Sequence, residues 1–152
     1  MSKYVPDILS RRWVIISPAR TNRPDDIHDD SKKKTCVFCP GNEKLNPNEA
    51  LRYGTGNPLE SGWTLRLIPN KYPITDFHEV IIHTPQCTPS LIDLPLKQIE
   101  LIFHAYRERY QYYQQKGQVL IFCNEGEHAG ASIEHTHSQL VVIPSQINLD
   151  AL

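Results

Sequence analysis

No apolar run in the sequence approaches the ~20 residues that a membrane-spanning helix needs, and the opening stretch, MSKYVPDILSRRW, lacks the apolar segment of a secretory leader. Both absences point to a cytoplasmic address without a membrane partner. An excess of charge of one sign is also missing: 16 Lys and Arg stand against 17 Asp and Glu, a formal net charge of -1. No global field therefore draws the chain to a nucleic acid polymer or an anionic surface, and any charged ligand has to be held by local groups. Length is limited too, since 152 residues with 39% hydrophobic content allow a modest core in one domain or two small ones and exclude a large multidomain assembly. The cysteines number four. In a reducing compartment they read as metal ligands or small buried hydrophobes rather than disulfides. Twelve prolines argue for turns and short connections over a helical bundle.

What is present is a series of short apolar runs. Residues 13–16 are a β-branched run closed by Ser17-Pro18 and read as a buried strand. Residues 64–68, stopped at Pro69-Asn70, and 79–83, stopped at Thr84-Pro85, read as two more, and 118–123 and 135–143 complete the set. Residues 19–34 form a mixed-charge loop without periodicity, and 41–62, rich in Asn, Pro and Gly, read as a long irregular loop. One helix is expected, beginning near Asp93 as N-cap with Pro95 in its first turn and ending at Gly117. It carries Leu96, Ile99, Phe103, Tyr106, Tyr110 and Tyr113 at three- and four-residue spacing. Strands, one helix, then strands joined by short links suit an α+β fold, an antiparallel sheet with one long helix packed on a face.

Two constellations carry chemistry. The first runs from Asn124 through Gly126, Gly130 and Ser132 to His135-Thr136-His137-Ser138-Gln139. Its small residues let backbone N–H groups approach a ligand, so a row of amides with Asn124 and Ser132 could cradle phosphate oxygens, although a glycine-rich connection alone is more often only a turn. His135, His137 and Gln139 sit at i, i+2 and i+4, on one face of an extended strand, where polar side chains have to be satisfied together. Histidine there can be a metal ligand, a general acid or base, or a nucleophile toward phosphorus, and the bland alternative is a hydrogen-bonded surface ladder. The second constellation is Cys36-Val37-Phe38-Cys39, a knuckle that supplies half of a tetrahedral zinc shell. On their own Arg20 and Arg23 read as solvated loop residues, and Cys123, inside an apolar strand, as a core residue.

Taken together these motifs resemble the galactose-1-phosphate uridylyltransferase family, a branch of the histidine-triad superfamily. Residues 13–24, with Arg20 and Arg23, resemble its amino-terminal strand and arginine loop; Cys36 to Asn42 its zinc knuckle; Pro69-Asn70-Lys71-Tyr72-Pro73 its asparagine-bearing turn. Residues 124–139 resemble its active-site segment, with His135-Thr136-His137-Ser138-Gln139 in place of the commoner His-Pro-His-x-Gln. The match runs in order from about residue 11 to 144, so residues 1–152 are expected to be one histidine-triad-like domain, a half-barrel resembling the family's amino-terminal half. The resemblance implies an enzyme of galactose and wider carbohydrate metabolism that moves a nucleoside monophosphate, UMP foremost, between a nucleotide sugar and a hexose 1-phosphate. It makes His137 the nucleophile, with Gln139 and Ser132 meeting charge on the phosphoryl oxygens and Arg20, Arg23, Asn70 and Asn124 holding substrate. It also implies a structural zinc ion on Cys36, Cys39 and His135, with a fourth ligand just after residues 79–83. Cys87 is the expected one and His78 and His83 are its rivals. An ADP-sugar phosphorylase, another histidine-triad hydrolase and a catalytically incomplete nucleotide-binding module are the alternatives. Relatives of this kind carry a second half of similar size, and self-association into a homodimer is expected.

Overall fold

β-branched and aromatic residues gather in seven short runs that are strands in the computed structural model, which describes residues 1–21, 23, 35–88, 90–126, 129 and 133–147. β1 (Lys3–Asp7) and β2 (Arg12–Ile16) form a separate antiparallel hairpin. β3 (Leu51–Gly54), β4 (Trp63–Pro69), β5 (Phe77–Ile82), β6 (Gln118–Phe122) and β7 (His137–Ile143) form an antiparallel sheet in the order β3-β4-β5-β7-β6. Helix α1 (Leu96–Tyr113) connects β5 to β6. The fold is thus α+β, as the order of runs predicts. Among the described residues no helix is long and apolar enough to cross a membrane.

The period of two along β7 explains how the sheet is used. Leu140 and Val142 point to the helix side, where they pack with Leu65, Leu67 and Ile81 against Ile102, Ala105 and Tyr113 of α1. His137 and Gln139 point to the opposite face with Val80 and Ile82 of β5, beneath the Cys36–Cys39 knuckle. Register is antiparallel, with Ile82 opposite His137 and Val80 opposite Gln139.

Several sequence expectations are corrected. Residues 13–16 are not a buried strand of the main sheet: Val14 and Ile16 are exposed, and only one face of the hairpin, Tyr4, Trp13 and Ile15, packs on Val141, Ile143 and Ile147. The stretch 41–62 is not wholly irregular, because it holds a 3-10 turn (Glu43–Leu45) and the edge strand β3. Four residues ended by a bulge are too few to show an alternating pattern. At Gly54, φ is +110° and an added Cβ would lie 2.6 Å from the Gly62 carbonyl oxygen, so that corner needs glycine.

Asp93 does not cap the helix. It closes a 3-10 turn (Leu91–Asp93), and Leu94, which precedes a proline, is extended at φ -84° and ψ 143°, so α1 starts after Pro95. The stripe that α1 buries is Ile102, Ala105, Arg109 and Tyr113, with Ile99 and Tyr106 beside it, whereas Leu96, Phe103 and Tyr110 are exposed. Arg109 reaches the interior because Glu79 meets it there, with Nε and Nη2 donating to the carboxylate at 2.9 and 2.6 Å. Cys123 is exposed rather than part of the core, since β6 ends one residue earlier.

Candidate functional site

The knuckle is held by side chains downstream of it. Asn42 donates to the Cys36 carbonyl at 2.9 Å and Asn46 to the Val37 carbonyl at 2.7 Å. Buried Glu43 accepts from the Trp63 indole at 2.8 Å, tying the loop to β4. These three residues were not singled out from sequence, although asparagines three and seven positions past a Cys-x-x-Cys are suited to satisfying its carbonyls. Phe38 sits edge-on to both His135 and His137, with ring centroids 6.1 and 5.2 Å away.

Cys36, Cys39, Cys87 and His135 converge, their ligand atoms all within 4.8 Å of one another. His83 and His78, the rivals to Cys87, lie elsewhere. His83 is on the helix side, its Nδ1 at 3.0 Å from Thr136 Oγ1 and its Nε2 at 2.8 Å from Ser138 Oγ. His78 is 3.0 Å from Gln139. The four-residue group fits zinc on three counts. Thiolate and imidazole are its preferred donors, and a tetrahedral shell with bonds of about 2.0–2.3 Å puts neighbouring donor atoms roughly 3.5–3.8 Å apart. His135 Nδ1 is 3.5 Å from Cys36 Sγ and 3.7 Å from Cys39 Sγ. His135 Nε2–H donates to the Thr84 carbonyl at 2.7 Å, so its proton is on the far nitrogen and Nδ1 carries the lone pair a metal needs. Burial and the neighbouring Cys87 and Cys36 thiols push the Cys39 thiol up to about 12, and burial raises Cys87 as well. Thiols crowded in this way ionise readily only around a cation.

Two residues further along the chain, at the start of β7, His137 Nδ1 is 2.8 Å from the His135 carbonyl oxygen. A carbonyl can only accept, so Nδ1 holds the proton and Nε2 keeps its lone pair. Burial lowers the His137 pKa below the ordinary imidazole value, which favours the neutral ring.

The ring borders a cavity of about 410 Å³ whose lining includes Arg20, Arg23, Asn70, Asn124, His137 and Gln139, with Val37, Phe38, Ile68 and Ile133 as apolar wall. Burial, then the nearby Arg23 charge, lowers the Arg20 pKa. Six of the seven catalytic and substrate-holding residues expected from sequence thus border one cavity. The seventh, Ser132, lies outside the described residues. One residue of this region that sequence reasoning did not place here is His78, whose Nδ1 accepts from the Ile74 N–H at 2.9 Å.

Comparison with known proteins gives a consistent answer. Residues 77–143 match the family model described as galactose-1-phosphate uridyl transferase, N-terminal domain. ADP-glucose phosphorylase from Arabidopsis thaliana is 32% identical over 169 residues, covering 91% of this chain and 47% of that protein. Galactose-1-phosphate uridylyltransferase from Thermotoga maritima is 29% identical over 152 residues, covering 93% and 46%. The chain spans about half the length of the curated relatives it matches. The crystal structure of an ADP-glucose phosphorylase from Arabidopsis thaliana with bound ADP-glucose superposes with a TM-score of 0.65 at 31% identity, over 95% of this chain and 49% of that one. A histidine triad nucleotide-binding protein from Candida albicans, 17% identical, shares the fold with a TM-score of 0.58 over 72% of this chain and 76% of its own. The antiparallel sheet whose strand β7 carries His137, and the match of residues 77–143 to the family model, make the chain similar to the amino-terminal half of the galactose-1-phosphate uridylyltransferase family.

Proposed function

We propose that the chain transfers a nucleotidyl group through a covalent bond to His137. The observation that supports the reading is the tautomer of that ring: Nδ1–H is spent on the His135 carbonyl, and Nε2 keeps its lone pair beside a cavity bordered by Arg20, Arg23, Asn70, Asn124 and Gln139. In the first step Nε2 attacks the α-phosphorus of a nucleoside diphosphate sugar. A P–N bond forms as the P–O bond to the sugar 1-phosphate breaks, and the sugar 1-phosphate departs with the bonding electrons. The ring, now substituted on Nε2 and protonated on Nδ1, is cationic, and the His135 carbonyl dipole lies against its N–H. In the second step a phosphate oxygen of the acceptor attacks the same phosphorus, the P–N bond breaks and the lone pair returns to Nε2. One difficult displacement becomes two easier ones, which gives ping-pong kinetics. The guanidinium pair would offset phosphate charge in both steps.

The metal, zinc by its Cys3His donor set, would be structural, because four protein ligands leave no open position. A hexose 1-phosphate as acceptor makes the enzyme a uridylyltransferase with UDP-sugar as donor. A second reading, ADP-sugar as donor and inorganic phosphate as acceptor, is favoured by the 32% identity to the Arabidopsis ADP-glucose phosphorylase. We place the activity in the cytoplasm and in a homodimer; a monomeric mass by light scattering would reject the dimer.

Incubation with radiolabelled UDP-glucose and, separately, ADP-glucose tests the proposal. An acid-labile protein-bound label that disappears in His137→Ala is expected, and the nucleotide that labels identifies the base. Retained label in His137→Ala removes His137 as nucleophile, and no label from either donor supports a nucleotide-binding module instead.

A further inference from the structure

We propose that His78 is a positioning residue that decides which end of the Gln139 carboxamide faces the cavity, and so makes Gln139 a hydrogen-bond donor to the phosphoryl group. This rests on the reading of the site given above.

The argument follows protons around one ring. Ile74 donates its backbone N–H to His78 Nδ1 at 2.9 Å, and a main-chain N–H has no other role. Nδ1 is therefore bare. A neutral imidazole carries one N–H, so His78 has it on Nε2. Two groups approach that nitrogen: Gln139 Oε1 at 3.0 Å and Asn70 Nδ2 at 3.1 Å. Asn70 cannot be turned over to accept, because its Oδ1 already takes the Tyr72 N–H at 2.8 Å. The Nε2 proton therefore goes to the Gln139 oxygen, and Asn70 Nδ2 is in contact with His78 without donating to it. The amide nitrogens of Gln139 and Asn70 are then the ends offered to the cavity that both residues line.

The device depends on His78 staying neutral, and its surroundings enforce this. The side chain is 4% exposed, and burial first, with the Arg20 charge also opposing a second proton, brings its pKa down to about 4. The backbone reinforces the geometry, since Asn70 N–H donates to the His78 carbonyl at 2.8 Å and Val80 pairs with Gln139 across β5 and β7. A leucine or methionine at 78 would leave the Gln139 amide free to rotate and present its oxygen to a phosphate, which repels.

Two substitutions separate positioning from packing. His78→Met keeps bulk but removes the donor, and His78→Gln restores an N–H near the Nε2 position. In single-turnover labelling by whichever nucleotide sugar modifies the wild-type chain, His78→Met is expected to lower the adduct-forming rate constant at saturating donor by about ten- to a hundredfold. His78→Gln should recover to within about threefold of wild type, with both variants melting cooperatively. A methionine variant as fast as wild type, or a glutamine variant as slow as methionine, overturns the proposal. The tautomer is tested independently of any activity by 15N NMR of the intact chain, where His78 should show a pyridine-like Nδ1 and a pyrrole-like Nε2. The reverse pattern, or a doubly protonated ring at pH 7, refutes the positioning role. Failure of the wild-type chain to label at all would count against the proposed function, while the NMR result would still decide the tautomer.

Discussion

Replacing Thr136 by proline converts the His135-Thr136-His137 run to a His-Pro-His form, and the structure requires this chain to lose stability by the change. Thr136 is buried, its N–H donates to the Thr88 carbonyl at 2.8 Å, and its hydroxyl lies 3.0 Å from His83 Nδ1. Proline supplies neither group. The lost backbone bond costs about 0.5–1.5 kcal/mol and the orphaned nitrogen of a histidine with no exposure about 1–3 kcal/mol, so about 1.5–4.5 kcal/mol in all. For a domain of this size that is a fall in Tm of about 5–15 °C. Calorimetry or urea denaturation reads it directly. Two companions apportion the loss. Thr136→Val keeps the backbone bond and should cost about 1–3 kcal/mol, while Thr136→Ser keeps both bonds and should cost under about 1 kcal/mol for the missing methyl. A proline variant within about 0.5 kcal/mol of wild type, or a valine variant without cost, would refute the assignment of His83 as Thr136's partner.

Arg109→Met leaves the Glu79 carboxylate buried with Tyr113 as its remaining side-chain partner, at 2.8 Å; a loss of about 3–5 kcal/mol is expected, largely regained in Glu79→Leu with Arg109→Met. An unrecovered double variant would mean that helix packing, not the stranded charge, was at fault. Cys87→Ser should lower bound zinc after dialysis, as counted by plasma mass spectrometry, whereas Cys87→His should retain it; equal zinc in the serine variant would remove Cys87 from the set. Burial holds His78 at about 4 and His83 at about 3. The unfolded chain, with ordinary histidines near 6.5, therefore takes up protons first as pH falls. Stability should be full above about pH 6.5 and fall by roughly 2–3 kcal/mol per unit near pH 5 as the two contributions add, so a urea midpoint unchanged between pH 7.5 and 5.5 would contradict their burial in neutral form.

The strands with long β-branched runs, β4, β5, β6 and β7, were legible because burial on one or both faces writes apolar residues into sequence at a fixed period. β3 was not, since an edge strand of four residues carries Arg52 and Gly54 and has no period to display. The spacing predicts the helix but not its rotation: its aromatic residues point to Phe103 and Tyr110 as inward-facing, while the sheet is met through Ala105 and an arginine whose charge is cancelled by Glu79. Such an ion pair has no local signature because its partner is 30 residues away. At the site, the Cys36–Cys39 pair and the shared face of His135, His137 and Gln139 could be read from spacing, whereas Cys87 entered only through the family resemblance. His78 could not be placed beside Gln139, because its role depends on β5 lying next to β7 and on a turn that brings Ile74 N–H to its ring.

Strand β7 carries His137 and Gln139 on one surface, while Ser138 and, just before the strand, Thr136 are bound to the His83–Tyr106 pair on the other. A slide of one position against β5 would send the imidazole of His137 into hydrocarbon and strand two hydroxyls opposite the cavity, undoing polar pairings on both sides of the sheet together. Alignment of the central strands is therefore policed by polar pairing as well as by greasiness, and an off-by-one assembly of this molecule would be disfavoured by the polar groups on both surfaces of β7.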